Sequence, residues 1–183
     1  MRIVSGSARG RKLLTPTGMD IRPTTDKVKE ALFSILQFEL SGKHVLDLFA
    51  GTGQLGLEAL SRGAADVVFT DASKKAVELV KKNVALTGFG PQSTVMLTDA
   101  FSFLAATDRT FDIVFLDPPY EMGMCGKAAA LLPRVLRPGA VVVCETRQEE
   151  ALPAVIGPLT VAKEYRYSGI RLTVYRTPIA EEN

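Results

Sequence analysis

The chain has 183 residues, a formal net charge of +2 at pH 7, and 46% hydrophobic against 23% charged residues. These values indicate one well-buried soluble domain with a small extension. No apolar stretch approaches the roughly 20 residues of a membrane span, and the first residues lack the apolar core of a signal peptide. The single histidine, His44, and the two cysteines, Cys125 and Cys144, show no metal-ligand spacing. We therefore expect a cytoplasmic protein with reduced thiols, no metal and no membrane partner.

The N-terminal segment is strongly basic. Residues 1–29 carry seven Lys or Arg against two Asp, a net charge of +5 that leaves −3 for the rest of the chain. Residues 2–4 and 12–14 are candidate short strands on either side of a small, glycine-rich loop. Four of the basic residues lie along this arm: Arg2, Arg9, Arg11 and Lys12. The pattern favours an anionic partner that approaches from one side; the alternative is a solvated, poorly ordered terminus.

Beyond the arm, strands and helices alternate. Thr24 or Thr25 is expected to cap a helix that ends near residues 41–42. Apolar runs then predict strands at 44–49, 65–70, 93–97, 111–116 and 140–144, and intervening helices at 55–61, 74–86, 100–106 and 126–136. Two last strands, 159–167 and 170–176, are separated by only two residues and must form an antiparallel hairpin at or near the sheet edge. The fold class is α/β: a Rossmann-like, mostly parallel seven-stranded sheet with helices on both faces.

The loop after the first strand carries a ligand-binding pattern. Residues 51–56 match G-x-G-x-x-G, and Asp71 lies 20 residues after Gly51, as in dinucleotide-binding proteins. However, Asp47 ends the strand just before the glycines, where a carboxylate repels a pyrophosphate and attracts an ammonium group. Asp99 and Asp117 likewise follow the third and fourth strands. Four acids at strand ends suit a ligand with an amino group, hydroxyls and a positive centre, which S-adenosylmethionine provides.

The fourth strand stops at Asp117-Pro118-Pro119-Tyr120. Neither proline can donate a hydrogen bond to a sheet, and each fixes its own φ angle. The result is a stiff rim at the carboxyl end of a strand, where open α/β sheets bind their ligands. One carboxylate, exposed carbonyls and a flat ring suit a planar group that carries an amine.

These motifs resemble, in their order along the chain, those of Rossmann-like class I methyltransferases that use S-adenosylmethionine to modify exocyclic amines. Residues 9–13 and 22–30 further resemble the bacterial family that methylates a guanine N2 of 16S ribosomal RNA, and the similarity covers nearly the whole chain. The resemblance implies S-adenosyl-L-methionine as cofactor and S-adenosyl-L-homocysteine as product. Gln54 departs from the family, in which a small residue is expected.

The resemblance also implies roles for individual residues. The implied cofactor-binding residues are Asp47, Phe49, Gly51, Gly53, Asp71, Ala72, Asp99, Ala100 and Phe101. The implied catalytic residues are Asp117, Pro118, Pro119 and Tyr120. The expected RNA contacts are Arg2, Arg9, Arg11, Lys12 and Arg22. Within these sets Asp47 faces the methionyl ammonium, Asp71 the ribose hydroxyls, and Asp99 the adenine amine, although Asp99 is equally suited to cap a helix.

Several alternatives stay open. A DNA adenine-N6 or protein glutamine-N5 methyltransferase would share the fold, a nicotinamide oxidoreductase would share the glycine pattern, and a silent RNA-binding assembly factor would share the basic arm. We expect residues 1–40 to form an RNA-binding extension and residues 41–179 the methyltransferase domain of one compact unit. The expected partner is 16S ribosomal RNA within a 30S particle, and the expected oligomeric state is a monomer.

Overall fold

The computed structural model describes residues 1–16, 26–119, 123–167 and 169–179. Its strands are β1 His44–Asp47, β2 Asp66–Asp71, β3 Ser93–Leu97, β4 Phe111–Leu116, β5 Leu136–Arg147, β6 Val155–Ile156, β7 Leu159–Tyr167 and β8 Ile170–Arg176. Its helices are α1 Asp26–Ile35, α2 Gln54–Ser61, α3 Lys74–Thr87, α4 Ala100–Ala106 and α5 Met124–Leu131. Short 3-10 turns occur at Gly90–Gln92 and Leu132–Val135. The predicted helix caps Thr24 and Thr25 lie outside the described residues.

The strands form one sheet in the order β3-β2-β1-β4-β5-β8-β7-β6. The first five strands are parallel, and β8 runs antiparallel to β5 and β7. The α/β class, the parallel sheet and the C-terminal hairpin are thus confirmed. The two-residue β6 adds an eighth strand to the expected seven, and β8 lies two strands inside the edge, between β5 and β7.

Both faces of the central strands are buried, which explains their nearly continuous apolar sequences. Val45 and Phe115 project into the core beneath α1, α2 and α3, whereas Leu46 and Val114 project into the core beneath α4 and α5. Because successive side chains of a strand alternate between faces, one short apolar run supplies both cores.

Several predicted boundaries were wrong, three of them by four residues or more. Helix α1 ends at Ile35 rather than near residues 41–42, and residues 36–40 continue in tight turns. Helix α5 ends at Leu131 rather than at 136, because Pro133 lacks the N–H of a helical residue and its ring clashes with the preceding turn. Strand β5 begins at Leu136, and the expected turn at 137–139 is a bulge inside it, marked by a register shift against β4.

The N-terminal arm packs on the domain instead of standing free in solvent. Ile3, Ala8 and Leu13 are buried in the same core as α1 and α2. An antiparallel bridge joins Arg2 to Lys12, and Ile3 N donates a hydrogen bond to Arg11 O at 3.0 Å. The two short strands predicted for the arm therefore pair as a small hairpin.

Candidate active site

A groove lies where the strand order of the sheet reverses. The chain turns from β1 outward to β2 and β3 on one side, whereas β4 and β5 lie on the other, so the loops that follow β1 and β4 diverge. Two cavities of about 740 and 320 Å³ occupy this position. Both are lined by Phe49, Gly51, Asp71 and Asp117, so together they form one groove along the carboxyl ends of the strands.

The glycine loop is held in place by Asp71 at the end of β2. Asp71 Oδ2 accepts a hydrogen bond from Gly51 N at 2.9 Å, and Oδ1 accepts one from Ser73 N at 2.8 Å. Each carboxylate oxygen retains a second lone pair toward the groove. Gly51 adopts a φ of +57° and has open space where a Cβ would lie, so its backbone is accessible to a ligand.

Asp47 lies beneath the glycine loop and is 1% exposed. Its Oδ2 accepts a hydrogen bond from Gly56 N at 3.0 Å. Burial raises the pKa of Asp47 from 3.8 to about 7; the charge of Asp71 acts in the same direction and the Gly56 hydrogen bond opposes it. A cationic group in the groove would therefore favour the ionised carboxylate.

The smaller cavity brings together the residues predicted to hold an adenine: Ala72, Asp99, Ala100 and Phe101 all line it. Asp99 is also the N-cap of α4, where its Oδ1 accepts a hydrogen bond from Ser102 N at 2.9 Å. Hydrogen bonds from Ser102 lower the pKa of Asp99, so the carboxylate is ionised. The capping role is thus present in the structure, and the contact with an adenine amine stays a prediction.

Asp117 follows β4 and borders both cavities. Its side chain is partly accessible from the groove but otherwise surrounded by protein. Burial raises the pKa of Asp117 well above its usual range, and the charges of Glu145 and Asp47 act in the same direction. Pro118 is buried, whereas Pro119 is exposed and lines the smaller cavity. Tyr120, predicted to stack on a base, lies outside the described residues.

The basic residues of the arm are exposed, as the sequence predicted. Arg2, Arg9, Arg11 and Lys12 all face solvent. Within the ranges described, no ion pair joins Arg9, Arg11 or Lys12 to a carboxylate. Arg22, predicted to lie near the mouth of the groove, falls outside the described residues.

A buried asparagine on α3 ties the arm to the glycine loop. Asn83 Oδ1 accepts a hydrogen bond from Leu14 N at 2.7 Å, and Nδ2 donates to Leu14 O at 3.1 Å and to Thr52 O at 2.9 Å. Met1 and Pro16 of the arm also line the larger cavity. The arm thus forms part of the groove wall. Sequence reasoning missed Asn83, whose only signal was a polar residue on the apolar face of α3.

A second connection, also missed, runs through Glu58 of α2. All eight residues of α2 are buried, so a carboxylate there needs partners. Glu58 accepts hydrogen bonds from the backbone N–H groups of Val4 and Ser5, at 2.8 and 3.0 Å. The nearby Ser61 hydroxyl accepts one from Ala8 N at 3.0 Å. A charged residue in an otherwise uncharged helix was the available signal.

The described part of the chain contains no cluster of three His, Cys, Asp or Glu side chains arranged to hold a metal ion. None of its helices is long and apolar enough to cross a membrane.

The sheet order, the antiparallel hairpin after β5 and the acids at four strand ends define a Rossmann-like class I methyltransferase fold. The chain belongs to the family described as conserved hypothetical protein 95, whose sequence profile matches residues 1–176. The family resemblance carried by the motifs is confirmed.

Relatives with names and structures support the same assignment. The chain is 36% identical to a Bacillus subtilis protein with the provisional name rRNA methyltransferase YlbH, over 96% of this chain and 98% of that one. It is 39% identical to ribosomal RNA small subunit methyltransferase D of Escherichia coli, over 85% of this chain and 79% of that one. A solved Escherichia coli structure provisionally described as a methyltransferase is 34% identical, with a TM-score of 0.88 and coverage of 97% and 98%.

Proposed function

We propose that this protein transfers a methyl group from S-adenosylmethionine to the exocyclic N2 of a guanine in 16S ribosomal RNA, presented in a 30S particle in the cytoplasm. The observation that carries this proposal is the position of Asp117, which directly follows β4 and borders both cavities of the groove that the predicted cofactor residues line. The names of the relatives supply the class of acceptor, ribosomal RNA of the small subunit.

The groove fits the proposed cofactor because its deep lining is rich in hydrogen-bond acceptors. We assign Asp47 to the ammonium group, Asp71 to the ribose hydroxyls, and Phe101 with Ala100 to the face of the adenine ring. When bound, S-adenosylmethionine supplies a methyl group already activated by its sulfonium charge. The protein therefore needs to position the acceptor rather than to perform strong acid–base chemistry.

Asp117 and Pro118 would prepare the acceptor nitrogen. The lone pair of a guanine N2 is delocalised into the ring and does not point at a donor. If the Asp117 carboxylate and the Pro118 carbonyl accept the two N2 protons, the nitrogen can pyramidalise and its lone pair can form the new N–C bond. The bound S-adenosylmethionine would supply the methyl group and keep the electrons of the broken C–S bond on its sulfur, and Asp117 or water would take one N2 proton as the nitrogen becomes acidic.

Reaching N2 in this way requires the base to leave its helix, as in other enzymes that modify bases. The arm would hold the flanking backbone, because exposed Arg and Lys bind phosphates regardless of sequence. Asn83 and Glu58 fix the arm beside the groove, so the same hairpin would position the RNA and border the cofactor.

The pH dependence of cofactor binding follows from Asp47. In the free protein, the protonated carboxyl of Asp47 contributes to the stability of the fold. This contribution is complete below the usual pKa of about 3.8 and is lost as pH rises through about 7. A bound ammonium stabilises the ionised form, so affinity for S-adenosylhomocysteine rises between about pH 6 and 7.5, by at most about tenfold per unit. Calorimetry in two buffers measures this rise and the protons released. Asp47→Asn should flatten the profile; an unchanged slope in the variant would assign it to another group.

Neutralising the arm should weaken RNA binding and its salt dependence together. Each phosphate contact contributes about 0.7 to 0.9 to the slope of log affinity against log salt. The triple variant Arg9→Ala/Arg11→Ala/Lys12→Ala should therefore lower the slope by about 2 to 3. Binding of labelled 16S RNA over a salt series measures it.

A matched control removes three other exposed cations, Lys127, Lys163 and Arg166. Lys163 and Arg166 lie on β7, at the other end of the sheet from α3, on which the arm packs. The control changes net charge by the same amount and should keep the wild-type slope. Equal slopes in both triple variants would show that net charge, and not the arm, makes the contact.

The proposal is tested by transfer of a labelled methyl group from S-adenosylmethionine to unmethylated 30S particles, naked 16S RNA and DNA in parallel. Label recovered as N2-methylguanosine supports the reaction, and the ratio between the two RNA samples identifies the particle or the naked RNA as substrate. Label in DNA would favour an adenine-N6 enzyme. Cofactor binding without any transfer would favour a silent assembly factor.

A further inference from the structure

Gln54, the first residue of α2, is a polar side chain in an unusual position. It is 9% exposed and lines the larger cavity together with Asp47 and Asp117. Its Oε1 atom is buried and has no hydrogen-bond donor within the described part of the chain. The glycine loop ends directly before it, so the side chain stands at the junction of loop and helix.

An amide oxygen that is buried without a donor costs free energy, and folded proteins contain few of them. Three other buried polar atoms also lack a partner, namely Ser93 Oγ, Arg171 Nε and Thr173 Oγ1. None of these three residues lines either cavity, whereas Gln54 does. Because Gln54 lines the cavity, a rotation about its terminal torsion would turn Oε1 toward the groove, where a ligand can supply the missing donor.

The neighbours of Gln54 define which donor fits. Asp47 and Asp117 lie in the same cavity and are acceptors when ionised. Their charges repel each other and disfavour a third carboxylate, whereas a neutral amide oxygen adds an acceptor without adding charge. An ammonium group, with three N–H donors and a positive charge, matches the Asp47 carboxylate and the Gln54 amide oxygen, which leaves Asp117 for the acceptor amine.

We infer that Gln54 Oε1 accepts a hydrogen bond from the ammonium group of the cofactor's amino-acid tail, which makes Gln54 a specificity-determining residue for ligands that carry this tail. The inference rests on the proposed cofactor. The adenosine half of the ligand would lie in the smaller cavity, which Gln54 does not line. Gln54 should therefore affect tail recognition and leave adenosine recognition unchanged.

The test compares two ligands on the full-length protein. S-adenosylhomocysteine carries the amino-acid tail, and 5′-methylthioadenosine has the same adenosine and thioether without it. Gln54→Met keeps a side chain of similar length and removes both polar atoms. Its Kd for S-adenosylhomocysteine should rise about 10- to 100-fold, as expected for a lost hydrogen bond to a charged group. Its Kd for 5′-methylthioadenosine should change by less than about twofold.

Two further variants complete the design. Gln54→Glu keeps an acceptor at the same position. Its charge is repelled by Asp47 and Asp117 in the free protein but attracts the ammonium group, so this variant should retain most of the affinity for S-adenosylhomocysteine. Gln37→Met, on an exposed glutamine, should match the wild type for both ligands. If Gln54→Met lost affinity equally for both ligands, Gln54 would only support the loop. If it lost affinity for neither ligand, Gln54 would contact neither of them. Either result overturns the inference. A wild-type protein that binds neither ligand would overturn the cofactor assignment itself.

Discussion

Asp117→Ala is expected to lose about 100- to 10,000-fold in turnover while retaining affinity for S-adenosylhomocysteine. Asp117 borders both cavities at the end of β4, so its carboxylate can reach an acceptor placed over the groove. In the proposed reaction Asp117 orients the amine and can take its proton. In the variant, the cofactor's ammonium group still has Asp47 as its partner, so binding is retained. Single-turnover methyl transfer and calorimetric binding of S-adenosylhomocysteine separate these effects. Unchanged turnover would exclude Asp117 from the chemistry.

The isosteric variant Asp117→Asn adds a second readout. Burial and the nearby charges of Glu145 and Asp47 raise the pKa of Asp117, which means that the fold disfavours its ionised form. A neutral amide removes this penalty, so the melting temperature at about pH 8 should rise while turnover falls. Asp108→Asn, on an exposed acid before β4, should change neither. A fall in both quantities for Asp117→Asn would indicate structural damage instead of a catalytic role.

Much of the sheet could be predicted because its strands are short apolar runs between clear turns. Strands β3 and β4 and the hairpin β7–β8 have the predicted bounds. Strand β6 has only two residues, Val155 and Ile156, which are too few to show a pattern, and it forms because β7 offers an unpaired edge. The early end of α5 could have been predicted from Pro133, since proline cannot continue a helix at that position.

The acids of the groove could be predicted for a geometric reason. In an alternating α/β chain the carboxyl ends of parallel strands meet at one edge of the sheet, so Asp47, Asp71, Asp99 and Asp117 had to lie near one another. Which atoms orient each carboxylate could not be predicted, because this depends on the loop backbone. Examples are the hydrogen bonds that Gly51 N donates to Asp71 and that Gly56 N donates to Asp47.

The residues that position the arm were beyond sequence reasoning. Asn83 and Glu58 are separated from their partners Leu14 and Val4 by 69 and 54 positions. A polar residue in an apolar helix indicates that some partner exists, but the identity of that partner depends on how the arm packs on α2 and α3. Arm, glycine loop and α2 thus form one hydrogen-bonded unit, in which Thr52 is linked through Asn83 to Leu14.

Glu58→Ala is expected to be among the most destabilising single substitutions in the chain. The Glu58 side chain is fully buried, accepts hydrogen bonds from Val4 N and Ser5 N, and lies 3.9 Å from the equally buried Lys29 ammonium. Removing one partner of a buried charged network costs about 3 to 5 kcal/mol. For a protein of this size the melting temperature should fall by about 6 to 20 °C. Glu30→Ala, on an exposed acid of α1, should stay within about 0.5 kcal/mol of the wild type.

A second variant separates loss of the arm from loss of the buried charges. Gly6 has a φ of +82°, and a Cβ added there would lie 1.8 Å from Ser61 O, so Gly6→Ala should displace the arm while the Glu58–Lys29 pair remains. Both variants should then lose RNA affinity at temperatures where they remain folded, and Gly6→Ala should lose less stability than Glu58→Ala because the buried Glu58–Lys29 pair remains. If Gly6→Ala bound RNA as the wild type does, the docked arm would not be the RNA contact. If Glu58→Ala melted like the wild type, the buried carboxylate would not be what holds the arm to α2.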